Sequence, residues 1–155
     1  MDVKEYIISE SDKLFCQYGL KSVTMDDIAK QLGMSKKTIY SHFSDKNEIV
    51  NAAVEYTLKR EKKESERIYS LSENPIDEIV ISTQMMCKMF ENINPVLFYD
   101  LKKYHPEAWG RYVNFKSEFL EIVIRNLKEG IERGYYRHDI DPDILAKLRV
   151  ESVDL

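Results

Sequence analysis

The 155-residue chain has little glycine (5), little proline (4) and only two cysteines. So few turn formers argue against an all-β chain of tight hairpins and favour long helices. Cys16 and Cys87 are far apart and show no C-x-x-C spacing. They read as two buried structural thiols in a reducing compartment, not as a redox pair. The histidines, His42, His105 and His138, share no ligand spacing with cysteine or carboxylate, so no metal is expected. No apolar run approaches the roughly 20 residues that cross a bilayer. The N-terminal MDVKEYIISESDKLF is mixed polar and helical, unlike a secretory leader. No membrane partner is expected, and the expected location is the cytoplasm. There is no glycine-rich phosphate loop, no nucleophile elbow and no carboxylate pair with a supporting base. No catalytic residue is therefore assigned, no enzyme activity is expected, and nothing calls for a cofactor.

What is present is core material and a local charge asymmetry. Apolar residues make up 43% of the chain and charged residues 32%, which suits a globular domain and excludes wholesale disorder. The net charge is −4, so the chain as a whole is not drawn to nucleic acid. The window 30–46 differs: Lys30, Lys36, Lys37 and Lys46 face Asp45 alone, a net +3 that leaves −7 elsewhere. A nucleic-acid contact belongs in that window.

The pattern reads as helices throughout, with no strand candidate. Ile7, Leu14, Phe15 and Tyr18 share a face of a first helix, Lys4 to Tyr18, which Gly19 ends. Thr24 and Asp27 form an approximate capping box before a short second helix, with Met25, Ile28, Ala29 and Leu32 inward and Gly33 as its stop. Ser35 caps a helix of barely two turns, in which only Ile39 and Phe43 face inward. Asp45 and Glu48 cap the next helix, which begins near Lys46 and turns polar over residues 59–67. Asn74-Pro75 opens an amphipathic helix carrying Ile76, Ile79, Val80, Thr83, Met86, Cys87 and Phe90. Asn94-Pro95 starts a short helix through Tyr104, with Asn94 as N-cap. Pro106 starts a long one, along which Trp109, Tyr112, Val113, Phe119, Leu120, Val123, Leu127 and Ile131 recur, and Gly134 stops it. Asp141-Pro142 opens a last helix. The expected fold is all-α: an N-terminal three-helix unit, residues 1–47, joined to a helical bundle, residues 48–155, by a helix that begins in one and ends in the other.

Residues 24–48, TMDDIAKQLGMSKKTIYSHFSDKNE, carry the functional signal. Two short helices joined by Leu32-Gly33-Met34-Ser35 fit a helix-turn-helix. Ala29 allows close crossing and Gly33 permits the turn. The second helix is poor in apolar residues, as a helix must be when one face enters a major groove. Its outer face offers Lys36, Lys37, Thr38, Tyr40, Ser41 and His42, none of them acidic.

With Gly19, Thr24, Ile28-Ala29, Gly33-Met34-Ser35, Thr38-Ile39-Tyr40, His42-Phe43 and Asp45-Lys46-x-Glu48 in register over roughly 45 residues, the segment resembles the DNA-binding domain of the TetR family of transcriptional regulators. The resemblance implies that Thr24 binds a backbone phosphate and that Lys36 and Lys37 reach bases or phosphates. It implies that Thr38 faces the groove, that Tyr40 and His42 contact phosphates, and that Lys46 holds another. Lys37 departs from the small residue that many members carry there. The resemblance further implies a ligand cavity among the helices after residue 75, for which Met86, Met89, Phe90, Phe98, Tyr99, Tyr104, Trp109, Tyr112 and Phe119 are the candidates. The implied partners are operator DNA, a small apolar or amphipathic effector, and a second copy of the chain. Family members are usually longer and dimerise through their last two helices. Here the sequence stops just inside what reads as the first of those helices, so the expectation is either a chain truncated at the C-terminus or a dimer that uses another surface, with Ile144, Leu145, Leu148 and Val150 as an available apolar edge. The competing reading is an α-helical adaptor or small-molecule-binding module without DNA activity; the acidic net charge fits it, and the basic window 30–46 opposes it.

Overall fold

The computed structural model describes residues 2–152, which hold eight α-helices and no strand. They are α1 (Val3–Tyr18), α2 (Met25–Leu32), α3 (Lys36–Tyr40), α4 (Lys46–Leu71), α5 (Pro75–Phe90), α6 (Val96–Tyr104), α7 (Pro106–Glu132) and α8 (Pro142–Glu151). Each begins where local chemistry satisfies its free N–H groups. Asp2 and Glu5 close a capping box on α1, and Thr24 and Asp27 close one on α2. The Ser35 hydroxyl accepts the Thr38 N–H at the start of α3. At α4 the exchange is displaced by one residue: Asp45 accepts the Glu48 N–H at 2.9 Å, while Glu48 reaches back to the Ser44 N–H at 2.7 Å. At α6 the Asn94 carboxamide accepts the Val96 N–H at 3.0 Å, as an N-cap should, although Pro95 is already helical. Asp141 caps α8, with Pro142 at its first position.

The chain falls into two compact units: residues as far as Glu61 with Met89–Tyr112, and Lys62–Lys88 with the residues from Val113 on. This division does not follow a line at residue 47, and the packing of the first unit gives the reason. Its core joins Ile7 and Phe15 of α1, Ile28 of α2, Ile39 of α3, Phe43, and Ile49 and Val50 of α4, all at most 2% exposed, and it also takes in Leu101 of α6 and Ala108 of α7. Polar contacts seat α6 against the end of α1. The Asn94 N–H donates to the Cys16 carbonyl at 2.7 Å, and the buried Asp100 carboxylate accepts the Lys21 N–H at 2.8 Å. Gly19 lies at this approach with φ +82°, and a Cβ there would stand 3.3 Å from the Asp100 Oδ2.

The second unit packs Val123 and Leu127 of α7 against Ala146 and Val150 of α8, with Phe119, Leu120, Ile124 and Tyr136 around them. Gly130 is a close approach: a Cβ there would lie 2.1 Å from two ring carbons of Tyr136.

Several sequence expectations need correction. Of the apolar stripe expected on α5, Ile76 and Val80 are 44% and 46% exposed and Cys87 is exposed, while Ile79, Thr83, Met86 and Phe90 are half-buried. The buried positions are Pro75 and Glu78, because Glu78 pairs with polar groups of α7. Cys16 is only half-buried, so neither thiol is fully buried. Val113 is exposed on α7. Of the apolar edge on α8, Val150 is buried, while Ile144, Leu145 and Leu148 are open.

Candidate nucleic-acid interface

The helix-turn-helix is built from α2, the turn at Gly33 and α3. Gly33 adopts the left-handed conformation (φ 63°, ψ 26°), a geometry that favours residues without a Cβ, and the Met34 N–H bonds back to the Ala29 carbonyl at 3.0 Å. α3 has five residues, too few to be helical alone. Ile39, fully buried, and Phe43, 1% exposed, hold it to the core from one side. Lys4 of α1 rests its ammonium 5.0 Å from the centre of the Phe43 ring.

The opposite face is open. Lys36, Lys37, Thr38, Tyr40, Ser41 and His42 are all exposed, Tyr40 at 48%. The structure thus gathers six of the eight predicted contact residues on one surface, with Thr24 exposed at the start of α2. Their internal bonds differ. The Lys36 ammonium is 2.9 Å from the Asp26 Oδ1 across the turn, and this bond raises its pKa. Both side chains are exposed, so the pair is weak and easily exchanged for a phosphate. Lys37 makes no ion pair among the described residues and stands free. The Thr38 hydroxyl lies 2.9 Å from the Ser35 hydroxyl, and the Ser41 hydroxyl donates to the Thr38 carbonyl at 2.6 Å. The Thr24 hydroxyl donates to Asp27 at 2.6 Å, and its bonds hold that carboxyl below the usual range.

Lys46 is set differently. It is half-buried, and its ammonium donates to the Leu20 carbonyl. Burial lowers its pKa, against the pull of Asp100 and Asp27. Sequence reading placed Lys46 by its position at a helix start and had no signal for this inward bond. Nor did it single out Asp26 or Asp100, whose partners lie ten and 79 positions away in the chain.

The profile of the bacterial regulatory proteins of the tetR family matches residues 7–53, the stretch that holds this surface. An HTH-type transcriptional regulator of Bacillus subtilis, YvaF, is 32% identical over 149 residues, which are 96% of this chain and 77% of that protein. The chain belongs to the TetR family of transcriptional regulators. Solved structures share the fold. The ketosteroid transcriptional regulator KstR2 of Mycobacterium tuberculosis aligns over 98% of this chain and 80% of its own, with a TM-score of 0.75 at 20% identity. A Saccharomonospora viridis protein solved in complex with choline aligns over 97% of this chain and 81% of its own, with a TM-score of 0.85 at 19% identity. A TetR-family regulator is a DNA-binding transcription factor and not an enzyme. No helix among the described residues is long and apolar enough to cross a membrane.

The nine predicted effector residues divide between the units. Met86 and Phe119 lie in the second and the other seven in the first. In the first, Phe90, Phe98, Tyr112 and Trp109 form a chain of ring contacts with centroids 6.2, 5.4 and 5.3 Å apart. Tyr99 and Tyr104 are exposed, each with the Lys103 ammonium 5.2 Å from its ring. In the second, Phe119 lines a cavity of about 20 Å³ where α4, α5, α7 and α8 converge. Glu78, Asn126 and Arg149 supply its polar wall. Sequence reading missed these three, since nothing local marks a charged residue of an amphipathic helix as one that turns inward.

Proposed function

We propose that this regulator is a repressor that binds a palindromic operator as a dimer and is released by a small apolar or amphipathic effector. The observation that carries the DNA-binding part is the sidedness of the segment from Ser35 to Phe43. Ile39 and Phe43 anchor it, and every polar or basic side chain between them is exposed. Lys37 and Lys36 are the cations of this face; Tyr40 and His42 extend it as phosphate donors, and Thr38 presents a methyl to the groove. Lys46 contributes after giving up the Leu20 carbonyl. In a dimer, two such segments about 34 Å apart enter successive major grooves. An effector that favours another spacing weakens binding by its differential affinity for the two arrangements. A neighbour of the same fold was solved in complex with choline, which supports the reading that a small molecule binds this fold.

The test is the salt dependence of binding to a duplex selected from random DNA, read by fluorescence anisotropy. The affinity should fall steeply between 50 and 200 mM salt. Lys37→Ala should flatten the log–log slope by about one unit. Lys36→Ala should flatten it less, because its ion pair with Asp26 already neutralises part of its charge. Salt-independent binding, or no selected duplex, would favour the adaptor reading instead.

A further inference from the structure

Among the described residues of the second unit, the cavity brings together one buried carboxylate, Glu78, and one half-buried guanidinium, Arg149. Glu78, 7% exposed, is committed on both oxygens: Oε1 accepts the Arg125 Nη2 at 2.5 Å and Oε2 accepts the Asn126 Nδ2 at 2.7 Å. The Tyr136 hydroxyl braces Asn126 from the other side, bonding its Oδ1 at 3.0 Å. Arg149 of α8 has no carboxylate to pair with among the described residues. Its Nη2 donates only to hydroxyls of α5, Ser82 at 3.3 Å and Thr83 at 2.8 Å. The Nε–H groups of Arg149 and Arg125 are buried without a hydrogen-bond partner. Glu78 is thus taken up by Arg125 and Asn126, and Arg149 is left with hydroxyl acceptors alone. A half-buried cation without a paired carboxylate and a buried N–H without an acceptor are both unfavourable, and an anion that accepts from them relieves both.

Resting on the reading of this chain as effector-responsive, we propose that its effector is an amphipathic monoanion, a carboxylate bearing an apolar tail, whose carboxylate binds Arg149 at this cavity. The guanidinium fork suits a carboxylate geometrically, and the free Nε–H supplies the donor. A cation is disfavoured because Glu78 has no free oxygen to offer it. Ile68, Ile79, Phe119, Ile122 and Val123 give the cavity its apolar lining. At about 20 Å³ the cavity admits one water-sized group. A carboxylate is larger than one water, so headgroup and tail enter only when Phe119 and Ile122 move. Binding and displacement of α7 are then one event, which is what a ligand with differential affinity for two arrangements requires.

The experiment measures thermal shift and calorimetric affinity of the full chain at pH 7 with octanoate, octan-1-ol and choline. Octanoate should bind at least tenfold more tightly than octan-1-ol. Arg149→Met should reduce octanoate to the affinity of the alcohol while leaving alcohol binding intact, and Arg149→Lys, which keeps the charge, should retain part of the preference. Equal binding of acid and alcohol, or a preference that survives Arg149→Met, overturns the proposal. If choline stabilises the chain and octanoate does not, the effector reading stands and the carboxylate assignment falls. If none of the three binds, the assignment falls as well, and the effector reading then rests on whether other small molecules release the selected duplex. Should Arg149→Met not fold, Arg149→Lys decides alone: an unchanged preference for octanoate with its geometry altered would refute a bidentate carboxylate site.

Discussion

Replacing Gly130 by alanine should destabilise the protein, although alanine is the better helix former. In an open helix interior, glycine to alanine gains about 1 kcal/mol. Gly110, also inside α7, has nothing within 4 Å of a built Cβ and should show this gain, raising Tm by about 2–4 °C. At Gly130 the new methyl would stand 2.1 Å from the Tyr136 ring. That ring cannot swing away freely, because its hydroxyl sits 3.0 Å from both the Pro75 carbonyl and the Asn126 Oδ1 and shares its one proton between these acceptors. Overpacking of this kind costs about 1–3 kcal/mol, and breaking the hydroxyl's buried bonds costs a further 1–3 kcal/mol or so. Set against the helical gain, the balance is a loss of about 3 kcal/mol, or a fall in Tm of about 6–12 °C. Circular-dichroism melts of the two single variants, and of Gly130→Ala in a Tyr136→Ala background, test the reasoning. Without the ring, the alanine should become neutral or stabilising. A Gly130→Ala variant that melts above the parent protein, or one that loses as much stability with Tyr136 removed, would refute the account.

Two further outcomes are expected. Ser35→Ala removes the acceptor for the Thr38 N–H and should lower stability by about 1 kcal/mol, read as a Tm shift, and should weaken duplex binding because α3 loses its start. His105 is held below its ordinary pKa of about 6.5 by burial and by Lys46, against the pull of Asp100. The unfolded chain therefore takes up the proton first as pH falls, and stability should decline below about pH 6.5 until the folded pKa is passed. Tm measured between pH 7.5 and 5.5 should show that decline, and His105→Gln should lessen it; an unchanged profile would refute the assignment.

The helices and their caps were legible in the sequence because their causes are local. Thr24 with Asp27, Ser35 with Thr38, and Asp141 before Pro142 lie within one turn of each other, and spacing alone predicts them. The outer face of α3 was legible for the same reason, since two apolar anchors fix which side remains. What escaped was long-range polar chemistry. The inward course of Lys46, the grip of Asp100 on the Lys21 N–H, and the Glu78–Arg125–Asn126 cluster join residues 26 to 79 positions apart. Sequence periodicity assigns a charged residue to solvent by default. For that reason the inner face of α5 was read only in part: Ile79 and Met86 are half-buried, but the polar Glu78 is buried and the apolar Ile76 and Val80 are exposed.

The brevity of α3 has a consequence for how binding preference changes over time. Its shape is imposed by its neighbours through Ile39 and Phe43, and its outward positions take almost no part in folding. Substitutions at Lys36, Lys37, Thr38, Tyr40 or His42 therefore meet little stability constraint, so under the proposed function a lineage is free to rewrite DNA preference while leaving the scaffold untouched.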